Sequence, residues 1–202
     1  KLEIAGLLGP VPDIDTLKIN APGLTAHGDV TLKPSGGLDR LRLHRLSVGN
    51  WLDVPVDLIG QGAGRPVQVM IKGGSLDLRK ARFGKTEPSG VASPPMRVAL
   101  DRLQVTDTIA LTDMTGEFDV ARGLDGQFSA ALNGGTAVSG RVVPRNGRSA
   151  VQLTATDAGG VLRSANIAKQ VHGGALSLTL VPVGSDGAFD GHAEIKDVRI
   201  KD

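Results

Sequence analysis

Gly23-Leu-Thr-Ala-His-Gly-Asp-Val-Thr-Leu-Lys33 puts Leu24, Ala26, Gly28, Val30 and Leu32 at every second position, with Thr25, His27, Asp29, Thr31 and Lys33 between them. Successive side chains of a β-strand point to opposite faces, so this alternation marks a strand with one apolar and one polar face. The same pattern runs down the chain. Leu52, Val54, Val56 and Leu58 alternate with Asp53, Pro55 and Asp57 within Trp51–Ile59. Val67, Val69 and Ile71 alternate with Gln68, Met70 and Lys72, Leu76 and Leu78 with Asp77 and Arg79, and Val98 and Leu100 oppose Arg97 and Asp101. Later strands are predicted at Gly116–Ala121, Gly126–Leu132, Thr136–Val143, Ala150–Thr156, Gly174–Val181 and Ala188–Ile200.

The pattern slips in two places. In Leu38–Val48, Leu41 and Leu43 are in phase, whereas Leu46 and Val48 are out of phase with them. One extra residue near His44–Arg45, a β-bulge, restores the face. The same slip separates Leu100 from Leu103. Bulges bend a sheet, so a curved one is expected. Short turn signals join the strands: Ser35-Gly36-Gly37, Lys72-Gly73-Gly74, Asn133-Gly134-Gly135, Asn146-Gly147 and Ser185-Asp186-Gly187. Glycine supplies the positive φ that tight hairpins need.

The expected fold is therefore mainly β: an elongated, curved antiparallel meander with one short helix over 158–169. That helix follows from Asp157 as a cap, with Val161, Leu162, Ala165 and Ala168 near one helical face, and it should close an end of the sheet. Residues 1–83 form a first sheet section and 96–202 a second, continuous with it as one domain. The Gly/Pro/Ser-rich stretch 84–95 reads as a flexible loop between them. Pro10-Val11-Pro12 is a further irregular stretch.

Composition narrows the function. Of 202 residues, 28 are glycine, about twice the usual share, and none is cysteine. Without cysteine there is no disulfide framework, thiolate nucleophile or zinc–thiolate site. One Trp, four Phe and no Tyr leave little for base stacking, which single-strand nucleic-acid binding needs. The net charge of +2 comes from interleaved signs and is no footprint for nucleic acid. No apolar run reaches the length of a spanning helix. The chain begins at Lys1 and reads as a section of a longer protein.

Chemical motifs are absent. His27, His44, His172 and His192 have no metal-ligand spacing and read as surface histidines, so no metal and no cofactor is expected. Gly184-Ser185-Asp186-Gly187 and Asp190-Gly191 faintly resemble a calcium loop but lack its register and closing Glu, and hairpin turns account for them better. No G-x-G-x-x-G opens a helix after a strand, and no nucleophile elbow is present. No catalytic residues, and no enzyme, are expected.

What remains is the apolar face. It could be the core of a closed sandwich. Alternatively, it could line an open, concave sheet and contact an apolar ligand. The scarcity of aromatics, which usually fill a sandwich's thickness, leans toward the lining.

Gly23–Lys33 resembles the repeated G-x-x-x-x-G-x-[VL]-x-[LV] strands of the AsmA-like proteins. Lys72-Gly-Gly-Ser-Leu-Asp-Leu-Arg79, the loop after it and Met96–Thr106 resemble a recurring block of that family. Asp157-Ala-Gly-Gly-Val-Leu-Arg163 with His172-Gly-Gly-Ala-Leu-Ser-Leu178 is similar to the D-A-G-x-x-L-R … G-G-x-L-x-L stretch of the YhdP-type members, and Gly191–Lys201 to the short strand after it. The resemblance implies a bacterial envelope protein, anchored in the inner membrane and extending through the periplasm, whose β-groove carries lipid acyl chains between membranes. It implies a phospholipid or other acyl-chain lipid as partner, with other envelope proteins besides, and membrane contact through parts of the parent chain beyond this section. On that reading the lipid-binding residues are Leu24, Val30, Leu32, Leu41, Leu43, Val54, Val56, Leu58, Val67, Val69, Ile71, Leu76, Leu78, Val98 and Leu100. The alternative is an envelope assembly protein that pairs through sheet edges and has a closed sandwich core.

Overall fold

In three dimensions the period-two alternation becomes one long sheet. The structure is a computed structural model and describes residues 1–7, 9, 13–81, 95–145, 147–184 and 188–201. The strands are β1 (Leu2–Leu7), β2 (Asp13–Ala21), β3 (Leu24–Leu32), β4 (Leu38–Val48), β5 (Leu52–Ile59), β6 (Gln68–Lys72), β7 (Ser75–Asp77) and β8 (Met96–Gln104). They continue as β9 (Ala110–Asp119), β10 (Asp125–Leu132), β11 (Thr136–Arg145) and β12 (Arg148–Ala155). The helix α1 (Ala158–Ser164), β13 (Val171–His172), β14 (Ala175–Pro182), β15 (Phe189–Lys196) and β16 (Arg199–Ile200) complete the chain. Hydrogen bonds join β1 to β6 in order, then β8 to β12, then β14 and β15. β7 pairs with β5 and β8, and β13–β16 is a separate two-stranded ribbon.

The mainly β sheet with one helix is as the alternation predicts. Four details differ. First, β6 and β7 run parallel to β8. Ile71 registers with Val98 and Leu76 with Leu103, so β6 and β7 are one strand broken at Gly73-Gly74. Alternation looks the same in parallel and antiparallel strands, so a meander was the simpler expectation. The predicted loop 84–95 falls, apart from Pro95, outside the described residues, as does Pro10–Pro12. Second, α1 ends at Ser164 rather than 169. Asn166 has φ +58°, and Ile167 and Ala168 both donate to Leu162 O, which stops the helix. Asp157 caps it as expected, accepting from Gly160 N–H at 2.8 Å. Third, the strand expected at Ala188–Ile200 breaks at Asp197, φ +56°, into β15 and β16. Strands β1 and β2 were not expected. Their pattern slips between Ile14 and Leu17, which hides the period.

The bulge near His44–Arg45 is present: Leu43 faces Val56 and Leu46 faces Val54 across β5. The slip between Leu100 and Leu103 is matched in β9. Leu100 pairs with Met114 and Leu103 with Leu111 in unbroken register, so the expected bulge is absent, and the irregular backbone is at Asp113 of β9, φ +50°. With the break at Gly73-Gly74, these irregularities form a crease from β4 to β9. The buried residues form one continuous cluster from Ala26 to Leu176.

The centre of that cluster holds two of the four phenylalanines, with glycines beneath their rings. Phe128 registers with Gly140, and Phe118 with Gly126. A Cβ on Gly126 would lie 2.6 Å from Phe118 Cδ1, and one on Gly140 would lie 2.8 Å from Phe128 Cε2 and closer still to Cζ and Cε1. Only a residue without Cβ lets each ring lie flat on the strand beside it.

The helix closes one end of the sheet. Asn133, at the β10–β11 turn, donates to Thr108 O (2.9 Å) and Ser164 O (2.8 Å) and accepts from Ala110 N–H (2.8 Å). One amide side chain thus ties two hairpin turns to the end of α1. Ala158 and Val161 of the helix join the core cluster.

Candidate functional site

Cross-strand register shows how continuous the apolar face is. Start from Ile4 on β1. Its partner is Leu17, and the row continues through Gly28, Leu43, Val56 and Ile71 to Val98 on β8. From Val98 it runs through Gly116, Phe128, Gly140, Leu153 and Leu178 to Ala193 on β15. Thirteen strands contribute one residue each, and none carries a charge, a hydroxyl or an amide. At a strand spacing of about 4.8 Å, twelve steps make this row about 58 Å long, measured along the sheet.

The neighbouring row faces the other way. Asp29, Arg42, Asp57, Met70, Arg97, Glu117, Gln127, Arg141, Gln152, Thr179 and His192 follow one another across β3 to β15. Met70 is the one apolar member. The two faces are thus chemically opposite over the whole sheet.

Exposure along the apolar face is graded. Val54 is 0% exposed, Leu100 4%, Phe118 5% and Val138 3%, whereas Leu2 and Ile4 on β1 are 63% and 55% and Phe189 on β15 is 48%. The middle of the face is buried, and residues on its two edge strands are exposed. Of the fifteen residues picked out from the sequence, Leu43, Val54, Val56, Val98 and Leu100 lie in the buried middle. Leu24, Val30, Leu32, Leu41, Leu58, Val67, Val69, Ile71 and Leu76 are half-buried, and Leu78, just beyond β7, is exposed. Register brings those on paired strands onto one face. The second half of the face was not picked out: Leu103, Leu111, Met114, Phe128, Val138, Leu153, Leu176 and Leu178 continue it. Its signal was the same alternation, already readable in Gly126–Leu132 and Thr136–Val143.

The polar face is held by ion pairs. Asp57, the one buried charged residue among the described residues, accepts from Lys72 Nζ at 2.6 Å and is paired with Arg40. Burial pushes the Asp57 carboxyl up, but hydrogen bonds from Lys72 and Arg40, with their charges, outweigh it and leave the group below the usual carboxylate range. Arg45 grips Asp53 with two hydrogen bonds, 2.9 and 2.7 Å, and lowers that carboxyl also. Arg79 bridges Asp77 and Asp107, and its hydrogen bonds pull Asp77 down to about 2. Two adjoining polar hollows of about 430 and 450 Å³ lie along the crease, one lined by His44, Arg45, Asp53 and Asp101, the other by Trp51, Asp77, Arg102 and Gln104. Their carboxylates are occupied: Asp53 by Arg45, Asp77 by Arg79 and Asp101 by Gly74 N–H at 2.8 Å. Among the described residues no group of three His, Cys, Asp or Glu could hold a metal ion.

Fold and site together define a class: a single two-faced β-sheet whose apolar row runs from β1 to β15. No family model, no curated protein and no solved structure matches the chain.

Proposed function

We propose that this chain binds phospholipid acyl chains along its apolar face. It would act as a soluble periplasmic section of an inner-membrane-anchored AsmA-like protein that helps lipid move between inner and outer membranes. The observation that carries this reading is the thirteen-residue apolar row, flanked by half-buried aliphatics such as Leu41, Leu58 and Val69. Each buried acyl CH₂ contributes about 0.8 kcal/mol without directional bonds. The half-buried aliphatics Leu41, Leu58 and Val69 offer a chain several similar positions to shift between. The exposed charges of the opposite face keep the sheet in water.

The test is to extract the purified chain and measure co-purified phospholipid by mass spectrometry, with a fluorescent phospholipid titration beside it. Leu58→Asp with Val69→Asp puts two carboxylates on neighbouring, half-buried positions of the face. Both lipid signals should fall in this variant. A folded parent chain that carries no lipid and binds none would overturn the reading.

A second reading, an assembly protein that pairs edge to edge, has its own observations. The buried middle leaves little room over Val54 and Leu100, and among the described residues no strand pairs with the outer edges of β1 and β15. Under it, cross-linking would join these edges to a partner protein while lipid extraction stays blank.

A further inference from the structure

We propose that this chain pairs with a second copy of itself, β15 against β15, antiparallel about a twofold axis at Ala193. All eight residues of β15 are exposed, and among the described residues no strand pairs with its outer edge. Neither a bulge nor a proline blunts that edge: the register with β14 is unbroken from Phe189 to Lys196. Arg148 holds the turn before it, donating to Val183 O (3.1 Å), Gly184 O (2.7 Å) and Ala188 O (3.2 Å).

The backbone decides which residues can meet. Val183 N–H donates to Ala188 O at 3.0 Å, in the same register that pairs Val181 with Asp190 and Thr179 with His192. Bonded and unbonded pairs alternate along an antiparallel ladder. Asp190, His192, Glu194 and Lys196 therefore spend their backbone groups on β14, whereas Phe189, Gly191, Ala193 and Ile195 turn theirs outward. A strand added at this edge must bond to those four.

Charge selects the register and the partner. The polar face of β15 reads Asp190, His192, Glu194, Lys196, with an acid at one end and a base at the other. Opposite an antiparallel copy centred on Ala193, Asp190 meets Lys196 and His192 meets Glu194, each twice by symmetry. Opposite charges placed directly across a ladder stabilise it, and like charges destabilise it. An axis at His192 would set Asp190 against Glu194, and an axis at Glu194 would set that carboxylate against its own copy. An axis at Gly191 or Ile195 would shorten the overlap. Within one copy Lys196 already bonds Glu194 at 2.9 Å, so the new contacts extend an existing pair. The ladder ends at Asp197, which lies across from Phe189 and whose φ of +56° breaks the strand.

The apolar face fits the same register. Ile195, 39% exposed, comes opposite Gly191, the smallest residue of the strand. The apolar row that starts at Ile4 ends on Ala193, so the axis joins it to the row of the second copy without a break. This pairing uses the edge alone and stands whether or not the apolar face carries lipid.

The test is sedimentation velocity at chain concentrations rising from micromolar to near-millimolar. The parent should pass from monomer to dimer and no further. Asp190→Lys sets lysine against Lys196 at both ends and should weaken the dimer by about tenfold or more. Asp190→Lys with Lys196→Asp restores the complement and should recover most of the affinity. Both positions are exposed, so thermal unfolding midpoints should match the parent's. The chain has no cysteine, so Ala193→Cys supplies a single thiol on the axis. A short bis-maleimide should link this variant into dimers but should not link Ile4→Cys, nor join the two variants when mixed. Leu58→Asp with Val69→Asp should leave the dimer intact, which separates edge pairing from stacking of apolar faces. A parent that stays monomeric or grows beyond dimers would overturn the proposal. So would a double charge variant that does not recover, mixed Ile4→Cys and Ala193→Cys dimers, or loss of the dimer in the apolar-face variant.

Discussion

Replacing Gly140 by alanine should destabilise the sheet, against the ordinary trend for that substitution. In a strand interior alanine is usually favoured over glycine by about 0.5–1 kcal/mol. Here the added methyl would enter the Phe128 ring, since the Cβ position is 2.8 Å from Cε2 and nearer to two other ring atoms. Phe128 is 8% exposed and walled in by the cluster, so the ring cannot lift freely. Overpacking of this kind costs about 1–3 kcal/mol, and losing the ring's packing altogether approaches the 3–5 kcal/mol of a Phe→Ala change. Clash outweighs propensity, and the net loss should be about 2–3 kcal/mol. For a domain of this size that is roughly 5–10 °C in Tm. Urea unfolding of the parent, Gly140→Ala, Phe128→Ala and the double variant measures it. In the Phe128→Ala background the extra methyl meets no ring and partly refills the gap, so Gly140→Ala should there be neutral or stabilising. The reasoning fails if Gly140→Ala alone matches the parent, or if the two changes simply add.

Asn133→Ala removes three hydrogen bonds and places alanine at φ +49°, so about 2–3 kcal/mol should be lost. Asn133→Gly should recover the backbone part alone, and amide exchange should speed up first at the end of α1. Asp57→Asn should cost about 1–3 kcal/mol at neutral pH, because Arg40 and Lys72 are partly exposed and regain water. Asp57's folded pKa lies below its unfolded one, so its contribution is complete above about pH 4 and disappears as pH falls through the folded value. The parent's stability should therefore drop more steeply in acid than that of Asp57→Asn. In a carboxyl NMR titration Asp77 should protonate near 2 and move up in Arg79→Gln; an unchanged midpoint would remove Arg79 as the cause.

The alternation in Gly23–Lys33 carried most of the fold. It reports the one thing a strand must do, which is turn alternate side chains to opposite faces. One phase slip was informative, since the shift between Leu43 and Leu46 placed a bulge near His44–Arg45, where the register shifts. Parallel pairing of β6 with β8 was not legible, because direction depends on where the chain returns and not on which side chains alternate. Nor was the filling of the middle. Few aromatics suggested an unfilled lining, yet the middle of the face is buried, with two phenylalanines seated over glycines there. Gly116, Gly126 and Gly140 lie inside strands as seats for those rings rather than in hairpin turns. For the candidate site, the apolar stripe was legible residue by residue, but its graded exposure depends on which strands lie in the middle of the sheet.

The neighbour-to-neighbour order of the sheet also sets its mechanics. No disulfide can link distant strands, because the chain has no cysteine. Tension applied between β1 and β15, across the strands, would load the ladders in series and peel them from the weaker edge, one hairpin at a time. The parallel β6–β8 junction breaks that rhythm. Its two strands are joined through residues 73–95 rather than a short turn, so its rupture would release a longer length of chain than any hairpin. A pulling experiment would record the sheet as a series of short steps marked by one long one.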